Sequence, residues 1–153
     1  MKTQNLVVEK VEKRVLKSPR IGRFEFTNDD LVILTSPIIG FQNLSEFLFI
    51  SSQEFLPFSY FQSVQDVNVT FIIAEIKPLF PDFNPKLTKG DKKALQYCDG
   101  NELSFFGIVV VRDDPKKATI NLKAPIVINN NKKLAKQVIL DDDNYQIKTP
   151  LFK

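Results

Sequence analysis

Not one of the 153 residues is a histidine. The commonest general base, the usual metal ligand and every imidazole-dependent triad are therefore missing. Cys98 is the single cysteine, which excludes an intrachain disulfide and leaves no zinc or iron–sulfur ligand set. Thiol usage this sparse fits a reducing compartment. The five glycines form neither a dinucleotide-binding loop nor a P-loop. No apolar run approaches the roughly 20 residues of a membrane-spanning helix, and the start of the chain lacks an apolar secretory stretch. The expectation is a cytoplasmic protein with no membrane association, cofactor, metal or catalytic centre. Carboxylates are the remaining chemistry. Asp113-Asp114 and Asp141-Asp142-Asp143 both fall at apparent strand ends, where turns favour Asp.

What the chain has is phenylalanine: 14 Phe beside 3 Tyr and no Trp, enough to supply much of a core. Its length suits one ordinary domain, 1–153. Net charge is only +3, from 21 basic and 18 acidic residues. The two signs are interspersed, whereas a nucleic-acid binder clusters its positive charge.

The regular signal is mainly β. Residues 103–112 (LSFFGIVVVR) and 69–76 (VTFIIAEI) are nearly continuous apolar runs, as strands buried on both faces require. Segments 31–34 and 47–50 are shorter candidates, and 20–27 places Phe24 and Phe26 on one face. Residues 5–16 suit a helix or a strand, and their valines favour the strand. A helix is predicted over 88–97, with Thr88 and Asp91 as a capping box, and a helical turn over 43–47. Residues 78–85, with three prolines and two Phe, read as a loop too constrained for strand or helix. Short strands with one or two short helices predict a small barrel-like or sandwich antiparallel β domain.

Residues 118–128 (ATINLKAPIVI) alternate strictly. Ala118, Ile120, Leu122, Ala124, Ile126 and Ile128 are expected inward, with Asn121, Lys123 and Asn129 facing the other way. Pro125 has no backbone donor and belongs on an edge or at a bulge, and a bulge would invert the facing downstream. The polar run 129–133 and the apolar run 134–140 complete a hairpin.

The stretch 113–152 resembles the C-terminal signature of the FliW family. The matching residues are Asn121-Leu122, Ala124 to Asn129, Gln137 to Leu140, Tyr145 and Pro150-Leu151. Gly22 with Phe24, Gly40-Phe41, Gln62-Ser63 and the loop at 78–83 fall where that family has its earlier landmarks. Residues 1–12 extend beyond its usual start. The resemblance implies a non-enzymatic flagellar assembly factor with a barrel-like fold. It implies binding of flagellin in the cytoplasm and antagonism of the translational regulator CsrA by partner switching, which would control flagellin translation and stability.

Candidate contact residues follow. Phe41, Phe80 and Phe83 either fill the core or anchor a partner. Asn121, Asn129 and Gln137 either satisfy the hairpin backbone or, with Lys123, form a polar contact surface. Asp141 and Asp142 offer negative potential to a partner that carries a positive RNA-binding patch. A monomer with no direct nucleic-acid partner is expected. The alternatives are a single-strand nucleic-acid-binding β-barrel, whose Phe residues would stack bases, and a carrier of small apolar ligands.

Overall fold

The structure is a computed structural model that describes residues 12–152. The strand expected over 5–16 lies mostly outside the described residues, and β1 (Arg14–Ser18) contains only its end. β1 pairs with β2 (Gly22–Phe26) in a separate hairpin. Leu16 and Phe26 of this hairpin are buried against Leu31 and Leu48 on the outside of the main sheet. Phe24 and Phe26 share that face, as their spacing requires.

The main sheet closes into a barrel of seven strands. β3 (Leu31–Leu34), β4 (Glu46–Ile50), β5 (Phe58–Ser63), β6 (Thr70–Glu75) and β7 (Leu103–Val110) follow one another antiparallel. β8 (Thr119–Ile120) comes next in the chain, and β9 (Ile126–Asn129) and β10 (Leu134–Gln137) then form the expected hairpin. β9 pairs with β7, and β10 pairs with β3, so the ring is complete. The sheet is antiparallel as expected except at the β3–β10 pairing, which is parallel. The hairpin brings β10 back along β3, and only pairing there removes both open edges. β8 and β11 (Thr149–Pro150) extend the sheet beyond β7.

Phenylalanine fills the barrel. The rings of Phe47 and Phe61 stack at 4.5 Å between centroids, and Phe71 lies 6.1 Å from Phe47. Val32, Ile73, Phe106, Ile126, Ile128 and Ala135 complete this interior. A small barrel packed in this way is a core and not a ligand cage. β7 is apolar on both faces because Phe106 serves the interior while Phe105 and Val109 join a second, outer cluster. Ala118, Ile120, Leu122, Phe83, Leu95, Val138 and Leu140 form the rest of that outer layer.

Residues 118–128 are one strand interrupted by a bulge. Ile120 pairs with Val109 and Ile126 with Phe106, so five residues (121–125) face only Gly107 and Ile108. Asn121 Oδ1 accepts from the backbone N–H of Lys123 (3.0 Å) and Ala124 (2.9 Å), which stabilises the excess length. A side chain at Gly107 would meet Ile120 Cγ1 at 2.4 Å and the Asn121 carbonyl at 2.9 Å, so only glycine fits beneath the bulge. Pro125 sits at the end of the bulge, and the facing inverts across it. Ala118, Ile120 and Leu122 belong to the outer layer, whereas Ile126 and Ile128 point into the barrel.

This inversion corrects the facing of Asn129. It is not an outward residue but fully buried, at 0% exposure. Its Nδ2 donates to the carbonyl of Leu95 (3.0 Å) and to Asn101 Oδ1 (3.1 Å). Its Oδ1 accepts from the N–H of Asn131 and Lys132. One side chain therefore holds the hairpin turn, the 98–101 turn and the end of α2 (Lys89–Ala94) together.

α2 begins as predicted. Thr88 caps it, accepting from Asp91 N–H, while Asp91 accepts from Thr88 N–H. It stops at Ala94, short of Tyr97. The helical turn expected over 43–47 is absent, because Glu46 and Phe47 already belong to β4. The loop expected over 78–85 also needs correction, since Pro78 and Leu79 lie in a single helical turn, α1 (Ile76–Leu79). Proline is tolerated there because the first N–H groups of a helix have no intrahelical partner. Gln62 is a second buried amide: Ser18 and Thr70 hydroxyls donate to its Oε1, and its Nε2 donates to the carbonyls of Ser63, Val67 and Val69.

Lys136 Nζ lies 2.8 Å from Asp91 Oδ1 and ties α2 to β10. Burial opposes ionisation of Asp91, but the hydrogen bonds from Lys136 and Thr88, with the charge of Lys136, hold its carboxyl below the ordinary value. A carboxylate depressed in this way adds stability above its unfolded pKa, about 3.9, and loses it as pH falls through the folded value. Urea unfolding of Lys136→Met should therefore show a deficit at neutral pH that closes as pH falls below about 3.9. A deficit independent of pH would refute the coupling. Asn129→Ala should lower stability by about 2 kcal/mol or more, because the Leu95 carbonyl is left buried without a donor. The urea midpoint measures it.

Candidate partner-binding groove at one barrel mouth

The interior-facing row of β10 runs from Ala135 to Gln137 and continues past the strand end to Ile139. Val138 and Leu140, on the opposite face, are buried in the outer layer. Their N–H groups donate to the carbonyls of Pro125 (2.9 Å) and Lys123 (2.8 Å), so the extended chain runs beside the bulge. Ile139 has no core left to enter. It stands 63% exposed at the barrel mouth, with Ile39 at 65% and Ile147 at 62%.

These three isoleucines line one groove of about 370 Å³. Phe41, Phe71, Ile38 and Ile108 line its apolar floor, and Asn121, Lys123, Ala124 and Gln137 its wall. Phe41 packs edge-on against Phe71, with ring centroids 4.9 Å apart. Gln137 is half-buried. Its Oε1 accepts from Ile39 N–H (3.0 Å) and its Nε2 donates to the Ala124 carbonyl (3.2 Å), so one amide spans the groove and sets its width. Asn121 is held by the bulge described above. Both amides satisfy backbone groups, and both border the groove.

Asp141 and Asp142 line a neighbouring depression of about 370 Å³ with Asn84, Pro85, Asp91 and Tyr145. Ile139 lines this depression as well as the groove and forms the ridge between them. Lys123 fastens the acidic segment to the bulge, donating to the Asp142 carbonyl at 3.1 Å, with Asp143 Oδ1 at 3.8 Å. Phe41, Asn121, Lys123 and Gln137 are thus brought together, and Asp141 and Asp142 adjoin them.

Other candidates lie elsewhere. Phe83 is only 4% exposed and packs on Phe105 and Tyr145, so it is a core residue and no surface anchor. Phe80 is half-buried against the same outer layer. Asn129 is enclosed, as shown above. Sequence reasoning missed Ile39, Ile139 and Ile147. The signal for Ile139 was its position between Val138 and Leu140, since an apolar residue flanked by two apolar neighbours in an extended chain falls on the face opposite to theirs.

Phe105 and Phe106 are both buried, so neither offers an open face on which a base could stack. Among the described residues no helix is long and apolar enough to cross a membrane. No group of three or more potential ligand residues converges to hold a metal ion among them.

Comparison with known proteins agrees with the arrangement. The family model described as FliW protein matches residues 14–151. A flagellar assembly factor FliW from Thermoanaerobacter pseudethanolicus is 34% identical over 139 residues, covering 90% of this chain and 93% of that protein. The namesake from Bdellovibrio bacteriovorus is 32% identical over 138 residues, covering 90% of this chain and 79% of its own. A crystal structure of the flagellar assembly factor FliW superposes with a TM-score of 0.84 at 31% identity, covering 92% of this chain and 98% of the other. With the family model, the relatives and the barrel fold all matching along almost the whole described chain, this protein belongs to the FliW family of flagellar assembly factors.

Proposed function

We propose that the chain acts as a cytoplasmic, non-enzymatic assembly factor that binds flagellin and the translational regulator CsrA in alternation. One observation carries the reading: Ile139 lines both the apolar groove and the acidic depression. In this reading flagellin places an apolar segment in the groove, against Ile39, Phe41 and Ile147. CsrA, whose RNA-binding surface is positive, meets Asp141, Asp142 and Asp143. Three half-exposed isoleucines around one depression favour a protein contact, because exposed apolar area gathered in one place is worth most when a partner covers it. Partners that meet on one ridge exclude each other energetically, and linkage then makes each weaken the other equally. Flagellin export would free the factor to antagonise CsrA and so alter flagellin translation.

Titration of the purified chain with flagellin and with CsrA tests this. Ile39→Asp combined with Ile147→Asp should weaken flagellin at least about tenfold, since each charge must be desolvated in an apolar contact, while the fold survives. Failure of the unaltered chain to bind either protein would end the proposal. Reversal of Asp141, Asp142 and Asp143 to Lys should slow CsrA association and flatten its salt dependence, with little effect on flagellin. Unchanged CsrA kinetics would remove the acidic segment from the contact.

A further inference from the structure

On the outer layer, a second depression of about 440 Å³ lies between the 85–87 segment, α2 and the start of β7. It shares no lining residue with the mouth groove. Pro85, Leu87, Leu103 and Phe105 line it with apolar surface, and Tyr97 stands partly exposed beside them. The rim is cationic. Lys86 and Lys92 line the depression, and Lys77 Nζ sits 5.3 Å from the centroid of the Phe105 ring. None of these three lysines is in an ion pair among the described residues, whereas Lys123 and Lys136 both are.

Three cations beside an apolar floor, none of them in an ion pair among the described residues, favour a ligand that supplies both negative charge and an apolar side chain. We propose that this face docks an acidic peptide segment of a partner protein. A Leu, Ile or Phe of the segment seats on Leu87, Leu103 and Phe105. Asp or Glu residues on either side meet Lys77, Lys86 and Lys92. A nucleic acid fits less well. Phe105 is only 8% exposed, with Phe83 at 6.0 Å and Lys77 over its ring, so it offers no open face to a base. The inference goes beyond the flagellin and CsrA reading, because this depression, although it adjoins the acidic one and shares Pro85 and Lys86 with it, has an apolar floor of its own and a rim of the opposite sign.

The probe is a library of short random peptides displayed on phage and selected on the full chain. Selected peptides should combine Leu, Ile or Phe with neighbouring Asp or Glu. A synthesised representative should bind more weakly as salt rises, since exposed ion pairs are screened. It should lose about tenfold or more in affinity against Lys86→Glu combined with Lys92→Glu. Both lysines are exposed, and an unchanged thermal midpoint, with Lys86→Gln and Lys92→Gln as a milder pair, separates lost binding from lost fold. Ile147→Asp, in the mouth groove that shares no lining residue with this depression, should leave the peptide's affinity unchanged. Selection of neutral or basic peptides, no selection at all, or undiminished binding by the double variant would overturn the proposal. So would binding of oligothymidylate that the double variant abolishes while no acidic peptide is selected, which would give the face to nucleic acid.

Discussion

β7 is the strand on which the rest of the structure depends. One of its edges pairs with β6, and the other serves two partners in turn, β9 near its start and β8 near its end. A single continuous partner strand could not both close the barrel and feed the outer layer, because a strand sends alternate side chains to fixed faces. The bulge at 121–125 resolves this by inverting the facing between Leu122 and Ile126. Gly107 provides the room and Asn121 the hydrogen bonds. Because the barrel closes, its seven strands leave no open edge in the ring for another chain to pair with.

The same bulge shapes the surface. Its excess residues carry Asn121 and Lys123 out beside the mouth, and Lys123 holds the 141–143 segment in place. Gln137, bonded to Ile39 and Ala124, bridges the groove that results. The amides Asn121 and Gln137 therefore act through the backbone, setting the shape of an apolar groove. Ile39, Ile139 and Ile147 stand exposed around it, while Phe41 packs on the barrel core as part of its floor.

Charge is arranged locally and not as a net excess. A total of +3 conceals an acidic segment at 141–143 beside one depression and a lysine rim around Leu87 and Leu103 at the depression adjoining it. Surfaces of opposite sign on one small barrel are the kind of arrangement by which electrostatics gives specificity more than raw affinity.

Much of the architecture was legible in local pattern. The apolar runs of β6 and β7, the capping box at Thr88 and Asp91, and the 126–137 hairpin each rest on neighbours in sequence, which composition and periodicity report directly. The bulge was legible only as a possibility raised by Pro125. Its position depends on which residues of β7 lie opposite, and that is a contact between distant segments. The burial of Asn129, the parallel β3–β10 pairing and the short helical turn at Ile76–Leu79 were hidden for the same reason. The absence of histidine, the Phe-rich core and the β-rich pattern were decided by the chain's own residues. Which isoleucines remain outside that core was decided by tertiary structure, because exposure is a property of what packs against a residue and not of the residue itself.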